Sequence, residues 1–175
     1  MLYGKWEAEK SSVWSKRTWP GYASFVWVIV FLLFHIYWAL GGRFGLGNAS
    51  SPLPPLPTSL SAWIYFYIVI MMFAVGTIVP IAMVQAWGRY IPRRILFMAC
   101  WMGCTVLILR GGAGMVDDFF RSTGILPNGI TGMTYEQIFG DEHISTYTLW
   151  SSRAIDGYFF LGGIFYGLAA LSRRK

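Results

Sequence analysis

Six side chains in this sequence have the chemistry to act on or hold a small molecule: His35, Trp38, Arg110, Asp117, Arg153 and Asp156. An imidazole moves protons near neutral pH, a carboxylate beside it fixes its orientation, and a guanidinium takes an anion. His35 stands in "FHIYWALGG", residues 34 to 42, near the end of an apolar run that stops on paired glycines. With Asp117 or Asp156 as partner it would be an acid or base. With Arg110 and Arg153 holding an anionic headgroup, His35 and Asp156 would orient that group and Trp38 would line the pocket. Each residue also has a structural reading: a histidine bonded to a neighbouring carbonyl, an arginine reaching for headgroups, a tryptophan anchored at an interface.

The elements that would carry these residues are membrane spans. Of 175 residues, 55% are apolar, 18% aromatic and 13% charged, with a mean hydropathy of +0.50. This is the composition of an integral membrane protein. A bilayer core of about 30 Å takes about 20 apolar residues in a helix. Spans are expected at about 22–41, 61–87, 95–116 and 154–171, giving a single membrane domain over 1–175. The run from Ile95 to Leu109 is too short alone, so the third span continues through "RGGAGMV" and places Arg110 inside it, on one face with Asp117.

Charge gives the expected direction. Lys5, Lys10, Lys16 and Arg17, then Arg89, Arg93 and Arg94, then Arg173, Arg174 and Lys175 flank one set of span ends, while the other set carries more acids than cations. The positive-inside rule puts both termini in the cytoplasm and the 117–152 connector outside. Cations clustered beside apolar runs fit a membrane surface, and no nucleic-acid interface is expected.

Counted from Tyr22, His35 lies about 20 Å up its helix, in the outer third of the bilayer. Arg110, Asp117 and Asp156 are expected near that level, Asp156 in the first turn of the fourth helix where the dipole favours an anion. Within the connector, Thr134 and Gln137 form a capping box and Gly140 a stop, so "TYEQIFG" is expected as a short helix lying as a lid. Pro80 removes a backbone donor and should bend the second span, with a neighbour or water satisfying the freed carbonyl. Gly163 with Gly167, and Gly41 with Gly45, form GxxxG pairs that favour close helix packing or a homo-oligomer.

Other chemistry finds less support. No acid lies mid-span, against an antiporter built on a membrane carboxylate. Cys100 and Cys104 lack CxxC spacing, and no nucleophile has a base at motif spacing. His35, His143, Asp117 and Asp118 are too irregularly spaced for a metal site to be assigned, and no cofactor is implied.

"HIYWALGG" at 35 to 42 and "GYFFLGGIFYGLAA" at 157 to 170 resemble a family of small four-span bacterial proteins of unknown function. The likeness covers roughly the first and last spans. It implies four helices in a bacterial inner membrane and no established activity. The expected fold is therefore an all-α, four-helix membrane bundle. The leading functional expectation is binding of a lipid-like or amphipathic ligand, or of a membrane partner, in an outer-leaflet polar pocket. The alternatives are a small enzyme acting on a lipid or quinone through His35, and an accessory subunit of a larger membrane complex.

Overall fold

Apolar runs make the helices of this protein, and local caps and polar contacts set where they end. The computed structural model describes residues 18–45 and 58–172. Helix α1 spans Trp19–Ala39, and α2 spans Leu60–Val84 behind Ser59, whose hydroxyl accepts from the Ala62 amide. A 3-10 turn over Ala86–Tyr90 leads to α3, Arg93–Ser122; a short α4, Tyr135–Phe139, precedes α5, Thr146–Ser172. The four long helices are each long and apolar enough to cross a membrane, and the protein is an integral membrane protein. The cations at 5–17 and 173–175, and most of the proline-rich first connector, lie outside the described residues.

Three helix ends differ from the sequence expectation, each for a local reason. The second helix stops at Val84, short of Trp87, because Gly88 tucks against the Ala82 carbonyl and forces the turn. The third runs six residues past Val116, through Asp117 and Asp118, closing at Gly124 with φ +74°. Hydropathy ends at Val116, but the Asp117–Arg121 pair at i, i+4 carries the helix onward. The fourth long helix starts at Thr146, well before Ala154, where Ser145 Oγ accepts from the Thr148 amide. Asp156 therefore lies in the third turn of α5, and the N-terminal dipole does not act on it. What joins α3 to α5 is 123–145, shorter than the expected connector. Its α4 forms as the spacing predicts, with the Thr134–Gln137 capping box in place and Gly140 at φ +66°.

Small residues bring α3 and α5 together in the most extensive helix pair of the fold. A β-carbon at Gly111 would lie 2.5 Å from both the Asp156 carbonyl and the Phe160 amide; one at Gly163 would meet Ile108, and one at Gly167 would lie 3.0 Å from Cys104 Sγ. These contacts run antiparallel down the two helices, so the Gly163–Gly167 face is occupied within the chain. Gly41 and Gly45 are not a helical pair at all. They lie past the end of α1 with φ of +91° and +84°, where the chain turns back so that Trp38 Nε1 donates to Phe44 O and the Gly45 amide donates to Tyr147.

The apolar core lies at one end of the bundle. Trp27 and Val28 of α1, Val79, Ala82 and Met83 of α2, Leu96 and Cys100 of α3, and Tyr166, Ala169 and Ala170 of α5 are buried, all in the half next to residues 18 and 172. Among the described residues no apolar side chain is buried in the other half.

The Pro80 gap is filled from α5. Pro80 has no N–H for Gly76 O, and Tyr166 Oη donates to that carbonyl at 2.5 Å. Tyr166→Phe is expected to cost about 1–3 kcal/mol, the penalty of an unsatisfied buried carbonyl. In a Pro80→Ala background, where residue 80 again supplies an N–H, the same change should cost well under half as much. Thermal unfolding of the four proteins in detergent measures this coupling, and equal costs in both backgrounds would refute it.

Candidate functional site

The polar residues gather at the connector end of the α3–α5 pair, in two layers. In the layer nearer the core, Arg110 Nη1 donates to Asp156 Oδ1 at 2.6 Å. The carboxylate is seated against Gly114, where any β-carbon would collide with it, and its side chain is 8% exposed against 54% for that of Arg110. Arg110 also stands over the Phe159 ring, 5.2 Å from its centroid. Its Nε and Nη2 find no acceptor among the described residues.

The outer layer fastens the connector. Asp117 Oδ2 accepts from Arg121 at 2.6 Å, while Oδ1 accepts from the Ile130 amide at 2.6 Å and the Thr131 amide at 3.1 Å. Gly129, at φ +61°, passes so close that a side chain there would strike both members of that ion pair. Asp118 accepts from Arg153 Nε at 2.8 Å and from Tyr135 Oη at 2.7 Å, tying α3, α5 and α4 together. Burial, and next the bond to Asp118, push the Tyr135 phenol above its usual range, which keeps it a donor. A bond from Thr134 holds the exposed Glu136 carboxyl below its usual range.

His35 belongs to a different arrangement. Its Nδ1 bonds Phe31 O at 2.9 Å, and its ring packs on Phe31 at 4.3 Å, Trp38 at 5.1 Å and Phe73 at 5.6 Å. It hydrogen-bonds to neither Asp117 nor Asp156. Phe31 also faces Phe159 at 5.3 Å and Tyr158 at 6.1 Å, and Phe159 lies under the guanidinium of Arg110, so two rings in contact connect the imidazole to that cation.

Of the expected cluster, the structure joins Arg110 to Asp156 and His35 to Trp38. It separates Asp117 from Arg110: Asp117 lies seven residues further along α3, about 10 Å at the helical rise, and is saturated by Arg121 and the connector. Arg153 is held by Asp118, and Trp38 closes the turn after α1. The sequence reading missed Asp118, Arg121 and Tyr135 as fasteners, although Asp117 and Arg121 at i, i+4 were a usable sign. It also missed the floor of Phe31, Phe73 and Phe159, which no spacing marks in so aromatic a chain. Among the described residues no three His, Cys, Asp or Glu side chains come together to hold a metal.

A family model described as "protein of unknown function (DUF3995)" matches residues 27–129, more than half of the chain. The protein belongs to this family. The match includes "HIYWALGG" and runs on through α2 and α3 into the connector, whereas the "GYFFLGGIFYGLAA" stretch of α5 lies beyond it. The likeness therefore extends over the middle of the chain rather than to its last span. No curated protein and no solved structure matches the sequence.

Proposed function

We propose that this member of the family binds an amphiphile whose headgroup carries an anionic group, with Arg110 holding that group and the layer of Phe31, Phe73 and Phe159 rings lying against the rest of the molecule. The observation that carries this reading is the pairing of an open guanidinium with a half of the bundle in which, among the described residues, no apolar side chain is buried. Every apolar side chain buried among the described residues lies in the half next to residues 18 and 172, and the other half offers half-buried rings with Arg110 beside them. Those rings pack on one another, Phe31 at 5.4 Å from Phe73 and 5.3 Å from Phe159, and a lipid tail lying over the layer covers it at no cost in exposed apolar surface.

The cation distribution supports a cytoplasmic location for both termini, and on that reading the connector lies outside a bacterial inner membrane. Counted from Arg93, Arg110 is about 26 Å up α3, just within the far edge of a core of about 30 Å. A phosphate or carboxylate headgroup reaches that depth in the outer leaflet. The pair with Asp156 uses one guanidinium nitrogen, leaving two for the ligand.

Arg110→Gln tests the reading. The glutamine keeps an amide N–H that can donate to the Asp156 carboxylate in place of the guanidinium, so the bundle should stay folded. Retention of phosphatidylglycerol in native mass spectrometry should fall at least tenfold relative to wild type, as the loss of a charge-assisted hydrogen bond implies, with Arg110→Lys keeping most of it. Equal retention by wild type and a folded Arg110→Gln variant would overturn the proposal.

A further inference from the structure

Resting on that reading, we infer that His35 selects the headgroup: its Nε2 accepts a hydrogen bond from a glycerophospholipid that carries an N–H or O–H donor while Arg110 holds the phosphate. Phe31 O can only accept, so the bond at 2.9 Å requires the proton on Nδ1 and leaves a bare lone pair on Nε2 in the neutral ring. Nε2 has no partner among the described residues, and the ring is exposed. An acceptor in an apolar setting calls for a donor, and the neighbours of this ring supply none: Phe31, Trp38 and Phe73 are aromatic, and the Trp38 N–H is spent on Phe44 O.

The acceptor and the cation border one aromatic floor, His35 against Phe31, Phe31 against Phe159, and Phe159 beneath Arg110. A headgroup with an anion and a donor matches both ends. Ethanolamine presents a phosphate and an ammonium with three N–H groups. Choline presents the same phosphate with a trimethylated nitrogen that cannot donate.

The experiment compares phosphatidylethanolamine and phosphatidylcholine of identical acyl chains, titrated against the full chain in detergent and read by native mass spectrometry. Wild type should bind the ethanolamine lipid about fivefold more tightly, the worth of one net hydrogen bond. His35→Phe keeps a ring on Phe31 but removes the acceptor, and should bring the two lipids to parity while binding persists. Arg110→Gln should weaken both lipids alike. No discrimination by wild type, a preference for choline, or an ethanolamine preference that survives in His35→Phe would overturn this inference and leave the Arg110 site standing. Undiminished binding of both lipids by Arg110→Gln would overturn the site itself.

Discussion

Asp117→Ala is expected to be the most destabilising single change in the connector half, costing about 3–5 kcal/mol. The Arg121 side chain is 4% exposed, and Asp117 is the only carboxylate paired with it among the described residues. Its Nε is already buried without a hydrogen-bond partner, and what remains once the carboxylate is gone is uncharged: Thr131 Oγ1 at 3.0 Å, Asn128 O at 3.4 Å and the Tyr135 ring at 4.9 Å. The same substitution frees the Ile130 and Thr131 amides. At about 2–4 °C per kcal/mol for a chain of this size, the unfolding midpoint in detergent should drop by about 10 °C, and limited proteolysis should cut within 123–145. Adding Arg121→Met removes the stranded charge, and the double variant should recover part of the loss. The connector should stay cleavable, because its two amides remain unpaired. A single variant as stable as wild type would show that the pair does not hold the connector.

Gly111→Val should separate α3 from α5. Overpacking usually costs about 1–3 kcal/mol because side chains rotate or shift to make room. Here the obstructing atoms are the Asp156 carbonyl and the Phe160 amide, so relief requires a helix to move, and the cost should reach about 3 kcal/mol or more. Moving the helix also strains the Arg110–Asp156 bond one residue away, so lipid retention should fall along with stability. Gly112→Ala is the matched control: the nearest atoms are on the Phe160 ring, 3.8 Å away, and the change should be close to neutral. Indistinguishable unfolding midpoints for the two variants would exclude the close backbone approach.

The sequence by itself determined what depends on neighbours along the chain. Four apolar runs of span length, the Thr134–Gln137 box with its Gly140 stop, and the need for an outside donor at the Pro80 gap are all set within a few residues. The two polar helix ends could have been read the same way, since Ser145 and the Asp117–Arg121 spacing are local signals; hydropathy hid them because it marks hydrocarbon and not helix. Only the tertiary structure decided that Asp156 is the partner of Arg110, that Tyr166 is the donor for Gly76, that His35 faces rings rather than carboxylates, and that the Gly163–Gly167 face closes on α3. Each of these pairings depends on the rotation and register of one helix against another. Helices that are apolar nearly all round carry no polar stripe to announce which side turns inward, so glycine contacts between α3 and α5 set that register.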